Sequence, residues 1–302
     1  MDEQADIDER ITARFIEQME KASAAGWQKP WITTGQNTLQ PVNAATRREY
    51  RGVNVLMRWV AAEITGYQDG RWASFKQWQQ IGAQVRRGEK GTPVVFYKEL
   101  PRRGGSGADG PISGQFEGAA AEATQSGTDL LAKTSYVFNA AQVEGDTPPQ
   151  RPEPPGLAVR LESAERCVAA TGAVIVHGGD RAFYRPAEDR IQLPPREQFR
   201  SSEGYYATAL HELTHWSGHR SRLDRDLTGR FGTAAYAAEE LVAEIGAAFL
   251  CVKAGVTAEP WEDHAPYLKS WIAVLKADNQ AIFTAASQAQ KAADYLVGLQ
   301  MP

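Results

Sequence analysis

TALHELTHWSGHRS, residues 208–221, places three of the chain's five histidines, His211, His215 and His219, in one short run with Glu212 directly after the first. On a helix, positions four apart lie about 40° apart around the axis, so His211 and His215 project from one face and can reach one metal ion. Glu212 is rotated by about 100° from His211, which brings it near that ion's water without making it a ligand. The competing reading is a helix that merely carries imidazoles, and a third protein ligand decides between the two. The longer pattern HExxHxxGxxH would need a histidine at 221; Gly218 falls in place but residue 221 is Ser. His219 reaches the ion only if the helix continues past Gly218, so it is expected to face solvent or to support a ligand from behind.

The better source is AAEELVAEIG, residues 237–246, which sets Glu239, Glu240 and Glu244 on an otherwise apolar helix where an unpaired carboxylate is costly to bury. Glu240 and Glu244 share a face. Glu240 is therefore the first choice as third ligand, with Glu244 orienting a ligating histidine by accepting its ring N–H, and with Glu239 and Glu244 as alternatives for the ligand itself. Glu239, on a different face, is expected to be solvated or salt-bridged. Two imidazoles and one carboxylate leave a divalent ion, Zn2+ before Mn2+, with an open coordination position. Glu212 is then the general base, and peptide hydrolysis is the matching reaction class. No obvious donor for the developing oxyanion stands out; Tyr236, His219 and Arg220 are near in sequence.

Outward from this stretch, Ser201 or Ser202 is a natural N-cap for the histidine helix and Gly218 a natural stop. Before it come a helical pattern, LAVRLESAERCVAATG, and three short strand-like pieces, AVIVHG, RAFYRP and DRIQLP. After it come TAAYAAEELVAEIGAAFLCVKAG and two more alanine-rich helices. The segment GDTPPQRPEPPG, with five prolines, forbids a continuous helix or central strand and reads as a linker over 147–156. The expectation is an α+β chain of two domains, 1–146 and 157–302. Residues 5–24 have the period of a helix with one buried face. TPVVFYKEL and TSYVFNAAQV read as neighbouring strands, joined by a Gly/Ala/Ser-rich insert near 103–133 that lacks the apolar content to order itself.

The net charge of −4 hides an asymmetry: residues 40–103 hold 12 Lys and Arg against 5 Asp and Glu, and the flanking segments are acidic. That basic segment interleaves Arg47, Arg48, Arg51, Arg71, Lys76, Arg86, Arg87 and Lys90 with the rings of Tyr50, Trp72, Phe75 and Trp78. Cations follow a phosphate backbone and exposed rings stack on unpaired bases, which suits single strands better than a duplex. Gly88 and Gly91 bracket a basic turn, RRGEKG, whose backbone can approach phosphates. The bland alternative is that the rings are core and the cations a solvated face. Cys167 and Cys251 are expected as buried free thiols in a reducing compartment. No apolar run approaches the roughly 18 residues of a membrane span, so a cytoplasmic protein is expected, with a monomer as the default state.

Several blocks in order, TRREYRGVNVL, RWASFKQWQQIGAQVRRGEKGTPVVFYK, YVFNAAQVEG, FYRPAEDRIQLP, YYATALHELTHWSGH and AAEELVAEIGAAFL, resemble the ArdC family of antirestriction proteins over nearly the whole chain. The resemblance implies an N-terminal α/β domain that binds single-stranded DNA and a C-terminal zincin-like, gluzincin-type metallopeptidase domain. It implies protection of incoming conjugative DNA from host restriction, with cleavage of a host or regulatory protein as the alternative role. By position, it makes His211, His215 and Glu240 metal ligands and Glu212 the base. The second half is also similar to ImmA/IrrE peptidases, whose ligand glutamate sits in an ExxA pattern matched by Glu240 and Ala243.

Overall fold

In this computed structural model, residues 3–24, 40–101, 128–147, 155–229, 232–256 and 265–300 are described. The first elements are α1 (Glu3–Ala24), β1 (Val42–Asn43), α2 (Val53–Thr65), β2 (Arg71–Ala73), α3 (Phe75–Gln80), β3 (Gln84–Val85), β4 (Thr92–Pro101), β5 (Thr128–Asn139) and β6 (Val143–Glu144). They form a sheet of order β1-β2-β5-β4, in which only the β1–β2 pair is parallel, and a small β3–β6 ladder. Strand β5 begins at Thr128, with Thr128–Lys133 paired to Pro101–Phe96, so the last residues of the expected insert are strand. The remainder of that insert, 102–127, lies outside the described residues, as do 148–154 of the expected linker.

Strand β4 is an edge, and its backbone is partly satisfied by a side chain. Buried Asn54 of α2 donates its amide to the Val95 carbonyl at 2.8 Å and accepts the Val95 N–H at 2.9 Å, standing in for a neighbouring strand. One core cluster of this unit gathers Ala44, Ala73, Trp78, Ala83, Val85 and Val143, and the Trp78 indole donates to the Phe138 carbonyl.

The second half continues with α4 (Leu157–Ala170), β7 (Val174–His177), β8 (Phe183–Arg185), β9 (Arg190–Leu193), α5 (Ser202–Ser217), α6 (Ala234–Ala254), α7 (Ala265–Ala277) and α8 (Ala281–Gly298). Ser201 caps α5 by accepting the Gly204 N–H, and Thr233 caps α6 by accepting that of Tyr236. Strand β9 is central in a β7-β9-β8 sheet, with Ile191 and Leu193 buried. Helix α8 turns Ala285, Ala286, Ala289, Ala292 and Ala293 inward, and side chains this small allow close helix packing.

Two compact units result, Met1–Ile11 with Gln40–Pro148 and Thr12–Leu39 with Pro149–Pro302. The Thr12 hydroxyl donates to the Asn279 carbonyl at 2.7 Å and Glu20 pairs with Lys276, so the later part of α1 groups with the second unit. Both cysteines are free and buried, and burial pushes the Cys167 thiol up to about 11. Among the described residues no helix is long and apolar enough to cross a membrane.

Candidate functional site

Helices α5 and α6 cross closely because Gly246 lies against Thr214; a Cβ at Gly246 would sit 2.6 Å from the Thr214 methyl. That crossing carries the histidine face of α5 to the carboxylate face of α6. The Nε2 atoms of His211 and His215 are 3.2 Å apart. Each lies 3.6 Å from a carboxylate oxygen of Glu240. Donors about 2.05 Å from one tetrahedral ion stand about 3.3 Å from each other, so these three atoms fit a single divalent cation. Among the described residues this trio is the group of His, Cys, Asp and Glu side chains able to hold an ion.

Each imidazole is held from behind. His211 Nδ1 faces Glu244 Oε1 at 3.5 Å and His215 Nδ1 faces Glu239 Oε1 at 3.1 Å. A carboxylate at Nδ1 keeps the proton there and leaves the Nε2 lone pair directed at the centre. Glu239 is in turn gripped by Arg225, whose Nη2 donates to Oε1 at 2.8 Å and Nε to Oε2 at 3.1 Å. The same guanidinium donates to the Thr214 carbonyl and the Ser217 hydroxyl at the end of α5. Gly218 leaves room for it, since a Cβ there would lie 2.8 Å from Nη2. The expectation of a salt-bridged Glu239 thus holds, but its second partner is His215 of the trio, a contact the helical period did not reveal.

The centre is electrostatically short of positive charge. Burial opposes protonation of His215, yet Glu240, Glu239 and Glu212 push it up to about 9. His211 is raised by Glu240 and Glu244 against the same opposition. Burial works against ionised Glu240, but His215, His211 and a hydrogen bond from Tyr236 bring it down to about 2. Four carboxylates against one arginine form a nest that a divalent cation neutralises better than protons do.

A cavity of 310 Å³ opens over the trio. Its lining includes Glu212, Tyr236 and, from β8, Phe183 and Tyr184. Glu212 is only 5% exposed. The β8 wall is fixed by Asp189, which accepts from the Tyr184 hydroxyl and from Arg222. Arg222 also stacks on Trp216, 3.8 Å from the ring centroid. His219 stands apart, because α5 ends at Ser217 and its Nδ1 bonds Ser221. Arg220 does not line this cavity, whereas Tyr236 does.

In the first unit Arg47, Arg48, Lys76, Arg86, Arg87 and Lys90 are exposed and Arg51 is half-buried. Two expected DNA contacts are corrected. Trp72 is 1% exposed, locked in the core on strand β2 between β1 and β5, and cannot stack on a base. Arg71 is buried between Asp69 and Asp146, which consume its charge and hydrogen bonds. Tyr50 and Trp78 are core as well. Of the rings named from sequence, Phe75 alone is exposed, at 42%.

Residues 5–138 match the family described as the N-terminal domain of anti-restriction factor ArdC, and residues 162–288 match the zincin-like metallopeptidase family. Across 98% of both chains, the structure superposes on the metal-free antirestriction ArdC protein of plasmid R388 with a TM-score of 0.75 and 35% identity. The Mn(II)-bound structure of the R388 protein gives 0.75 and 37% over 97% of both chains. The chain belongs to the ArdC family of antirestriction proteins. A Sinorhizobium fredii protein, y4eC, is 44% identical over 96% of this chain and 91% of its own length. DNA primase TraC of Escherichia coli is 42% identical over 97% of this chain, which spans only 27% of the primase. The zincin-like half of an ArdC-family chain is therefore where the trio of His211, His215 and Glu240 sits, and the Mn(II) of the R388 relative agrees with a divalent ion as the class of cofactor. The one signal in the sequence for Glu239 and Arg225 was the cost of burying charge: an acidic pair on an apolar helix requires a cation from somewhere.

Proposed function

We propose that this ArdC-family chain is an antirestriction factor of a mobile element that binds single-stranded DNA through its first unit. In that role it shields conjugative DNA entering a restricting host. Its second unit carries a divalent-metal centre with the geometry of a peptide hydrolase. The observation that carries the second part is the convergence of His211, His215 and Glu240 beneath a cavity that also holds Glu212. A purely structural ion would need neither the cavity nor the extra carboxylate.

His211, His215 and Glu240 would hold the ion, Zn2+ in first place and Mn2+ in second. When bound, it would supply Lewis acidity to polarise a carbonyl and to acidify water. Glu212 takes the proton of the attacking water and returns it to the leaving amine, the exchange a single buried carboxylate performs in acid–base catalysis. Glu244 and Glu239 keep the two imidazoles in the ligating tautomer. Tyr236, which donates its hydroxyl to Glu240 and lines the cavity, is placed to turn that one O–H to a substrate oxygen once an ion engages Glu240. The exposed cations of the first unit supply the phosphate contacts. The protein works as a cytoplasmic monomer.

Conjugative transfer into a restricting recipient tests this with Glu212→Gln, which leaves the three ligands and the first unit in place. If strand binding does the protecting, transfer stays protected while cleavage of any protein substrate stops. If protection disappears with metal and DNA binding intact, shielding by strand binding is wrong and hydrolysis of a host protein is the protective act.

A further inference from the structure

Away from the metal centre, the first unit has a groove of 590 Å³ lined by Phe75, Val85, Arg86, Arg87, Gly88 and Phe138, among others. That volume falls in the range of about 300–1,000 Å³ typical of small-molecule sites. Two aromatic side chains on separate elements line the groove. Phe75 opens α3 and is 42% exposed, an unfavourable place for a phenyl ring in a protein with nothing to cover it. Phe138 belongs to β5, and Gly91 lies against its ring: a Cβ at 91 would come within 3.3 Å of Cζ and 2.9 Å of the Tyr136 Cβ. The glycine lets the backbone back the phenyl ring and fix its plane.

The third wall is the basic turn, and it is rigid. The buried amide of Gln142 donates to Glu89 Oε2 at 2.9 Å and to the Lys90 carbonyl at 3.0 Å, while Arg86 N–H donates to the Gln142 carbonyl. Arg86 spends its guanidinium on Glu89 and on the Ala141 carbonyl. Glu89 is thereby paired with Arg86, and Arg87 is the exposed lining cation that no carboxylate engages among the described residues. Gly88 has φ +88°, and no atom lies within 4 Å of where its Cβ would be, so the turn's backbone is open to an approaching ligand. One further carboxylate, Glu144 on β6, lines the groove and is an acceptor suited to the N–H edge of a base.

We infer that this groove seats one unpaired nucleobase of single-stranded DNA on the Phe75 ring, flanked by Phe138, with a neighbouring phosphate on Arg87 and the Gly88 backbone. The inference rests on the strand-binding reading above and adds where the strand is read. An apolar peptide side chain would not use the adjoining cation, and a duplex hides its base faces. A planar base joined to a phosphate uses both.

The test is fluorescence polarisation with labelled oligo-dT and with an abasic deoxyribose-phosphate oligomer of the same length, using the full chain. Phe75→Ala should weaken oligo-dT binding about ten-fold, leave the abasic oligomer unaffected, and be rescued by Phe75→Trp. Arg87→Ala should weaken both probes and reduce the slope of log affinity against log salt by about 0.7. Because Phe75 is exposed, its variants should melt with the wild type, and equal losses on both probes would overturn the stacking role. Wild-type affinity of Phe75→Ala for oligo-dT would also overturn the seat, while leaving strand binding itself standing. If the wild-type protein fails to bind either probe, the strand-binding reading falls and takes this inference with it.

Discussion

Replacing Arg225 with Met keeps the approximate volume of the side chain and deletes its charge. The guanidinium is 5% exposed and its partner Glu239 13%, so the pair is effectively out of water. Four hydrogen bonds disappear, two to Glu239 and one each to Thr214 and Ser217. Glu239 then keeps a buried negative charge with only His215 Nδ1 among those partners to answer it. Breaking one side of a buried ion pair costs about 3–5 kcal/mol. The second consequence is specific to the metal: a carboxylate that no longer has a fixed rotamer no longer fixes the His215 ring, and such losses lower metal affinity roughly 10- to 100-fold. Chemical denaturation in chelator should show the first effect, and competition against a chromophoric chelator should show the second. Arg225→Met/Glu239→Gln should be at least about 1 kcal/mol more stable than the sum of the single variants, since the double change removes both members of the pair. An Arg225→Met protein within about 0.5 kcal/mol of wild type, with unchanged metal affinity, would refute the claim that this arginine sets the ligand's orientation.

Gly246→Ala should destabilise the second unit by about 1–3 kcal/mol, because the new methyl meets the Thr214 side chain at 2.6 Å, and Thr214→Ser should restore part of the loss in a thermal melt. Metal affinity should rise with pH between about 6.5 and 8.5, by about one decade per unit or more, because His215, raised to about 9 in the metal-free centre, must give up its proton to ligate, and His211, also raised, adds to the slope wherever it is still protonated. The sign is fixed: protons compete below that value and the competition fades above it. A flat profile in chelator-buffered titrations would contradict the charge balance described for the cluster.

The helical period placed His211 and His215 on one face of α5, but left Glu240 only as first choice over Glu239 and Glu244; it is the α5–α6 crossing that brings the Glu240 carboxylate within 3.6 Å of both Nε2 atoms. Nor was the period enough for Glu239. Viewed along α6 alone, that residue points away from Glu240; the packing of α5 on α6 brings His215 to its carboxylate, and the loop that follows α5 brings Arg225. Trp72 misled for a related reason. Alternating rings and cations in 71–78 read as a stacking surface, whereas a three-residue strand in the middle of a sheet swallows whatever ring it carries. Tyr136, 49% exposed on β5, was the less conspicuous ring and is left outside together with Phe75. The start of β5 escaped notice because composition around 103–127 masks the apolar Leu130 and Leu131, which pair with Glu99 and Lys98 only through the register set by β4.

The stretch from Gly218 to Gly229 carries both Arg222, which anchors the β8 wall of the cavity through Asp189, and Arg225, which holds Glu239, the carboxylate at His215 Nδ1. Three residues of spacing thus tie the shape of the cleft to the readiness of the centre beneath it. A ligand on the outer surface finds both side chains nearly buried, 8% and 5% exposed, and cannot grasp them. Inserting or deleting a single residue between the two arginines, by contrast, should disable both functions at one stroke.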